Sequence, residues 1–261
     1  RARGLRMAPA HYRFPPWFVL RWLTGAAAGR HRDIVSDAEH LLRRFGPTPT
    51  LEGAGELPTA GPYILVINHY ERPGMRMWWT VLVATLLISR RVRSERIRWL
   101  STNRFQGWSP YGVTVVPGVV VRWFLGLVGR TYELLLVDPD SALERSGTIR
   151  EAYRTLHRDR RPIGLAPEAG NAPGLARELI EAVPRSGAVI AWLARGEVPV
   201  IPLAIWEDDG CLRARVGPPY VLERPGAALA ERDHEALTAR VMGSVAALMP
   251  PELRGAYREA P

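Results

Sequence analysis

The stretch that decides the fold covers residues 61–74 and reads Gly61-Pro62-Tyr63-Ile64-Leu65-Val66-Ile67-Asn68-His69-Tyr70-Glu71-Arg72-Pro73-Gly74. The continuous apolar run predicts a buried strand over residues 63–68 that ends in Asn-His. An apolar helical pattern follows from about residue 75 to residue 89. Because open α/β sheets bind ligands at the carboxyl ends of their strands, this order places the His69 imidazole at a ligand-binding edge. A histidine near a helix N-terminus tends to stay neutral, so His69 is a candidate general base, although a purely structural loop histidine would show the same pattern.

On either side of this stretch, short β-type runs alternate with helical patterns. Strands are predicted at 63–68, 97–101, 133–137, 163–166, 198–206, 212–216 and 220–222, and helices at 33–45, 75–89, 119–128, 141–157, 186–194 and 231–248. Ser141 and Glu144 form a capping-box pattern at the start of one of these helices. Such alternation is typical of an α/β fold, so we expect a mixed, largely parallel sheet flanked by helices, with an additional N-terminal helical segment.

Chain length and a stretch of turn-forming residues indicate the domain organisation. The 261 residues are enough for one large α/β domain with a helical appendage. A stretch rich in Gly, Pro and Thr over residues 46–61 reads as a linker. We therefore expect an N-terminal helical, membrane-interface segment over residues 1–48 and an α/β domain over residues 49–261. Pro199 and Pro202 suit an edge strand or a strand entrance better than a central strand.

Composition excludes several classes of function. The formal net charge is +9, carried by arginine alone, because the sequence contains no lysine. The single cysteine, Cys211, excludes an intramolecular disulfide and a cysteine-based zinc cluster, so a cytoplasmic location is expected. The longest apolar run, residues 77–89, is shorter than the roughly 20 residues that span a bilayer. Positive charge attracts nucleic acid, anionic lipid and phosphorylated ligands alike, but no nucleic-acid-binding motif accompanies it, and we expect no nucleic-acid partner.

Two basic stretches leave alternatives open. Residues 1–32 interleave arginines with Trp17, Trp22 and other apolar residues, a pattern that fits an anionic membrane surface and equally fits a helix packed on the body of the protein. The arginines that enter the strand at residue 97 could meet donor or lipid phosphates, or form a solvated face; they are Arg90, Arg91, Arg93, Arg96 and Arg98. The first pattern leads us to expect a peripheral protein on the inner face of the membrane.

Two further segments carry chemistry. Residues 162–174 run from an apolar strand into Glu168 and a Gly-rich turn, and residues 196–205 form a Val-Pro-containing strand. Together with residues 61–74, and with residues 123–138, their order resembles the glycerolipid acyltransferase superfamily, which includes the lysophosphatidic acid acyltransferases. The resemblance covers about residues 55 to 255.

The resemblance implies an acyltransferase that needs no metal and no cofactor besides its co-substrate. The fatty acyl group would pass from acyl-CoA or an acyl-carrier protein to a hydroxyl of a lipid-like acceptor, with His69 as the general base and Glu168 in the site. It also implies substrate-binding positions, which fall at Asn68, Gly170 and Asn171. Arg72 and Arg76, beside His69, are further candidates for substrate binding, because they could reach in from the first block.

The sequence departs from the family pattern at charged positions. The aspartate that follows the family's histidine by five residues is Gly74 here, so Glu71 is the candidate for orienting His69, unless it is a solvated loop carboxylate. Two family arginines fall at Pro139 and Asn171, which indicates an uncharged or weakly charged acceptor. The loss of the aspartate also leaves open a catalytically inactive, lipid-binding or scaffold protein of the same fold, and thioesterase activity is a third alternative.

Overall fold

A computed structural model describes residues 12–45, 47–92, 96–102, 118–138, 140–168, 176–223 and 230–259. Seven strands form one sheet in the order β1-β7-β6-β2-β5-β3-β4. All pairs are parallel except β6 with β7. The strands are β1 (Thr50–Glu52), β2 (Ile64–Ile67), β3 (Arg98–Thr102), β4 (Leu135–Val137), β5 (Ile163–Leu165), β6 (Val200–Asp208) and β7 (Cys211–Val216). The predicted α/β class with a mixed, largely parallel sheet is confirmed.

Helices flank this sheet and occupy the connections that the sequence pattern indicated. They are α1 (Pro16–Ala27), α2 (Ile34–Leu42), α3 (Met77–Ser89), α4 (Gly118–Tyr132), α5 (Ala142–His157), α6 (Ser186–Ala194) and α7 (Glu231–Ala246). The Oγ atom of Ser141 accepts the N–H of Glu144 at 3.2 Å, as the capping-box pattern predicted. Within the described ranges, no helix is long and apolar enough to cross a membrane.

Strand β2 lies at the centre of the sheet and positions the candidate site. Its four residues are fully buried, and it pairs in parallel with β5 on one side and β6 on the other. Parallel strands buried on both faces are expected to be apolar throughout, which explains the unbroken run Ile64–Ile67. The carboxyl ends of β2, β5 and β6 therefore meet at one edge, immediately before His69 and Glu168.

Two strand predictions were wrong. Pro202 lies within β6, an interior strand, and not at an edge. Its carbonyl accepts the N–H of Gly217 at 2.9 Å, so its ring nitrogen faces the point where β7 ends, and the hydrogen bond that proline cannot donate falls at the end of the β6–β7 ladder. The strand predicted at residues 220–222 is reduced to a single bridge between Tyr220 and Val200, because one pair of backbone hydrogen bonds does not extend into a ladder.

The stretch predicted as a linker contributes to the sheet, because β1 within it pairs with β7 at the sheet's end. The N-terminal helices also contact the body: α2 packs on α3, and α1 on α4. Trp22 is buried against the body of the protein, whereas Trp17 is 43% exposed; contact of this segment with a membrane surface stays a prediction.

Candidate active site

Asn68, the first residue after β2, is bound to the sheet through its side chain. Its Nδ2 atom donates to the carbonyl of Ile205 at 2.8 Å, and its Oδ1 atom accepts the N–H of Ile205 at 2.7 Å. The side-chain amide thus makes the hydrogen bonds to β6 that the backbone of β2 no longer makes at this position. Asn68 was predicted to bind substrate; the structure commits its amide to fixing the chain just before His69.

The His69 imidazole is held at the carboxyl edge of β2 in an environment that keeps it neutral. The residue is 9% exposed, and its Nδ1 atom is buried without a hydrogen bond of standard geometry among the described residues. Burial lowers the pKa of His69, and this effect outweighs the opposing influence of Glu71 and of the residue's own backbone carbonyl. A neutral imidazole can accept a proton, which a general base must do.

Glu168 follows β5 and braces the backbone around His69. Its carboxylate accepts the backbone N–H of His69 on one oxygen and the N–H of Ile180, at 2.9 Å, on the other. The residue is fully buried, and burial raises the pKa of its carboxyl to about 7, although the two N–H donors oppose the rise. Glu168 therefore lies beside His69, as predicted, and contacts its main chain.

A tight turn at residues 72–75 accounts for the glycine at position 74. The N–H of Arg72 donates to the carbonyl of Met75 at 3.0 Å, and the N–H of Met75 donates back to Arg72 at 2.9 Å. Pro73 and Gly74 are the central residues, and Gly74 has φ +82°. This is the Pro-Gly composition of a type II turn, whose third position strongly favours glycine. The Gly74 carbonyl also accepts the N–H of Tyr12, at 2.8 Å.

Glu71 is the carboxylate that the loop between β2 and α3 supplies near His69. Residues 69 and 71 lie two positions apart in the non-helical segment between β2 and α3. The Glu71 carboxylate acts electrostatically on His69 and opposes the lowering of its pKa by burial. One Glu71 oxygen accepts the N–H of Met77 at the start of α3, at 2.9 Å, and the other lies 3.4 Å from Arg76. Glu71 is only 9% exposed, so it is not a solvated loop carboxylate.

Arg72, the next residue of the segment, is committed to an ion pair. Its Nε and Nη2 atoms donate to the two carboxylate oxygens of Glu207, each at 2.6 Å, and both side chains are less than a tenth exposed. The Tyr12 ring lies over the guanidinium at 5.8 Å. Predicted as a substrate-binding residue, Arg72 instead joins β6 to the loop after His69. The Arg76 side chain, in contrast, is 53% exposed.

One residue near the site was missed by sequence reasoning. The N–H of Glu71 donates to the carbonyl of Ala176 at 2.7 Å, which docks the segment after Glu168 against the His69 loop. This places Arg177, an exposed residue, beside the Tyr70 hydroxyl, an interaction that raises the pKa of Arg177. No family block marks this position, and the sequence signal available was only an arginine a few residues beyond a Gly-rich turn.

The remaining predicted residues form two sets. Gly170, Asn171 and Pro139 lie outside the described residues. The basic residues near β3 are largely paired with carboxylates: Arg90 with Glu39, Arg96 with Asp33 and Arg98 with Glu151; Arg93 is not described. Among the residues that the structure describes, no group of three or more His, Cys, Asp or Glu side chains could hold a metal ion.

Comparisons with known proteins give a distant structural likeness. No protein-family model matches the sequence, and no curated protein sequence is similar to it. Among solved structures, the chain is similar to the 1-acyl-sn-glycerophosphate (LPA) acyltransferase PlsC from Thermotoga maritima, with 15% identity, a TM-score of 0.48 and 86% of each chain covered. A likeness this distant assigns no activity to the chain.

Proposed function

We propose that this protein is an O-acyltransferase that moves a fatty acyl group from acyl-CoA or an acyl-carrier protein to a hydroxyl of a lipid-like acceptor. The observation that carries the proposal is a buried, neutral His69 imidazole at the carboxyl edge of the central strand, with its backbone bound by Glu168 and Glu71 acting on its ring. The resemblance of the sequence blocks around His69 and Glu168 to the glycerolipid acyltransferases supplies the reaction class.

The reaction needs one base, which first takes a proton from the acceptor hydroxyl and later gives it to the leaving thiolate. The His69 imidazole removes the proton of the acceptor hydroxyl while its oxygen attacks the thioester carbonyl carbon. The carbon–sulfur bond then breaks, and the leaving thiolate takes the proton back from the imidazolium. The products are an ester and a free thiol, and general-base assistance of this kind contributes roughly 10²–10⁴ in rate.

In this proposal the two glutamates have separate tasks. Glu71 stabilises the imidazolium that forms during the reaction, because its carboxylate already favours the charged ring electrostatically. Glu168 binds the backbone N–H of His69 and thereby fixes the position of the backbone that carries the imidazole ring. Arg76 and Arg177 are the arginines of this loop region that stay exposed, which makes them the described candidates for contact with donor or acceptor phosphates.

Product formation tests the proposal directly. The purified chain is incubated with acyl-CoA and a panel of phosphorylated and non-phosphorylated hydroxyl compounds, and acylated products are identified by mass spectrometry. We expect an ester product that His69→Gln reduces by roughly 10²-fold or more. His31→Gln, at an exposed histidine between α1 and α2, is the matched control and should retain full activity.

A second candidate is a non-catalytic, lipid-binding protein of the same fold. The observation that favours it is Gly74, since the turn that needs this glycine displaces the family's aspartate. The same experiment separates the two candidates. Lipid that copurifies with the protein, without any ester formed from acyl-CoA and without an effect of His69→Gln, would establish the second candidate and exclude the first.

A further inference from the structure

Residues 176–183, between Glu168 and α6, form neither helix nor strand, and we call them the connecting segment. A segment without a ladder of its own takes its position from the hydrogen bonds that it makes with its surroundings. Some of these bonds reach the candidate site. Others reach the C-terminal segment, residues 251–257, which consists of two 3₁₀ turns, Pro251–Leu253 and Gly255–Tyr257.

The connecting segment binds both glutamates of the candidate site. The carbonyl of Ala176 accepts the backbone N–H of Glu71 at 2.7 Å. The N–H of Ile180 donates to one oxygen of the Glu168 carboxylate at 2.9 Å. The other oxygen of that carboxylate accepts the N–H of His69. A shift of the connecting segment would therefore move the acceptor of the His69 N–H and the backbone of Glu71 together.

The C-terminal segment binds the same connecting segment. The carbonyl of Leu253 accepts the N–H of Leu179 at 3.0 Å, and the Leu179 carbonyl accepts the N–H of Ala256 at 3.0 Å. The Tyr257 hydroxyl accepts the N–H of Ala182, also at 3.0 Å. The C-terminal segment is itself anchored, because Leu253 and Tyr257 pack against the hydrophobic core and its second turn packs on α7.

Gly255 shows how closely the two segments approach each other. It has φ +46°, and a Cβ atom at this position would lie 2.1 Å from the carbonyl oxygen of Leu179. A larger residue would therefore push the connecting segment away. Tyr257 is also close to the site itself: burial raises the pKa of Tyr257, and the charge of the Glu168 carboxylate adds to this rise.

We propose that the C-terminal segment positions the candidate active site, with Gly255 and Tyr257 as positioning residues that act through the connecting segment on Glu168. Gly255 permits the close contact between the two backbones, and Tyr257 fixes the far end of the connecting segment. Glu168 passes this constraint on to the backbone of His69. The effect on catalysis rests on the proposed function, whereas the effect on the backbone of His69 does not.

Amide hydrogen exchange of the full chain, followed by NMR, tests the proposal without any assay of activity. In Tyr257→Phe the N–H of Ala182 loses its acceptor, so we expect the amides of Ile180 and His69 to exchange roughly fivefold faster or more. The control is Tyr220→Phe, which removes a hydroxyl hydrogen bond of 3.1 Å beside the first residue of β6. Because irregular segments exchange through local opening, the control should change these two rates by less than about twofold.

Gly255→Ala is the second variant, and we expect it to raise the same two exchange rates roughly tenfold or more. Its control is Gly147→Ala, at a glycine of α5 whose Cβ position is open space. In the acyl-transfer assay, Tyr257→Phe and Gly255→Ala should each lower kcat roughly fivefold and change KM by less than about twofold. This split is expected because neither residue touches substrate in the proposal.

The outcomes separate positioning from a general loss of stability. Unchanged exchange at His69 and Ile180 in Tyr257→Phe would overturn the proposal, even if Gly255→Ala does not fold. Equal acceleration in Tyr257→Phe and Tyr220→Phe would overturn it as well, because the effect would then be global. Faster exchange with an unchanged kcat would overturn the role in catalysis. Faster exchange in a chain that forms no ester would support the positioning of His69, and the proposed acyl transfer would be what fails.

Discussion

Two carboxylates lie beside His69 and differ in almost every physical respect. Glu168 comes from the end of a neighbouring strand, is fully buried, and spends both oxygens on backbone N–H groups. Glu71 comes from the loop itself, binds the first N–H of α3, and acts on the imidazole through charge. Burial raises the pKa of Glu168 to about 7, so its carboxyl is not reliably ionised near neutral pH. A carboxylate that must stabilise a developing imidazolium has to be charged, which favours Glu71 for that task.

The largest effect is expected on stability, from Glu168→Ala. The substitution leaves two buried N–H donors without an acceptor, and each such donor costs about 1–3 kcal/mol. Relief from burying the carboxyl offsets part of this, so we expect the free energy of unfolding to fall by about 2 kcal/mol or more in urea denaturation. Glu181→Ala, at an exposed glutamate of the same segment, is the control. A loss as small as that of the control would show that Glu168 does not brace the loop.

Glu71→Gln should lower activity strongly and leave stability nearly unchanged. Glutamine can still accept the N–H of Met77 through its Oε1 atom, so the free energy of unfolding should change by less than about 1 kcal/mol. The lost charge should lower kcat roughly 10²-fold, because the imidazolium is no longer stabilised. Steady-state kinetics with the best acceptor measures this. Full activity in Glu71→Gln would transfer the task to another group.

Glu168 should also leave a signature in the pH dependence of stability. Its folded pKa, about 7, lies above the ordinary value of 4.5, so the folded state holds the proton more tightly between these values. Stability from this group therefore falls as pH rises through that window, by at most about 3.4 kcal/mol. His69, whose folded pKa is lowered, acts in the opposite direction below its ordinary value of 6.5.

Glu168→Gln isolates the contribution of Glu168, since the variant and the unmodified chain share every other titrating group. Urea denaturation from about pH 5 to about pH 8 should show the stability of the unmodified chain falling relative to that of the variant. A difference that is constant over this range would mean that the Glu168 carboxyl keeps its ordinary pKa.

The smallest expected effect concerns Arg72 and Arg177, two of the arginines in the loop region, which differ in burial as the glutamates do. Arg72 is buried against Glu207, whereas Arg177 is exposed. Because Arg72 is paired with Glu207, it is not available to bind an acceptor phosphate. A lysophospholipid with a phosphate monoester and its dephosphorylated counterpart are therefore compared in a direct competition. We expect the uncharged acceptor to be favoured roughly tenfold in kcat/KM. A preference for the phosphorylated acceptor that is lost in Arg177→Ala would show that Arg177 binds the phosphate and that the uncharged-acceptor prediction is wrong.

The sequence predicted the strands and helices around the site because their apolar periodicity is strong. It placed β2 and β5, and hence His69 and Glu168, at one edge. The use of Asn68 to extend the ladder could not be read from the sequence, because it depends on a partner 137 residues away. Arg72 was misjudged for the same reason: the Glu207 that neutralises it lies on β6. The Pro-Gly pair at residues 73–74 carries a readable turn signal, and the structure forms this turn with Gly74 at φ +82°.

A titration of the His69 imidazole by NMR tests most directly whether Glu71 and Glu168 divide their tasks in this way. In the unmodified chain the His69 pKa should lie below its ordinary value of 6.5. Glu71→Gln should lower it further, because a carboxylate that favours the charged ring has been removed, while Glu168→Gln should leave it nearly unchanged. An unchanged or raised His69 pKa in Glu71→Gln, or a larger shift in Glu168→Gln than in Glu71→Gln, would contradict the assignment of Glu71 as the charge partner of His69.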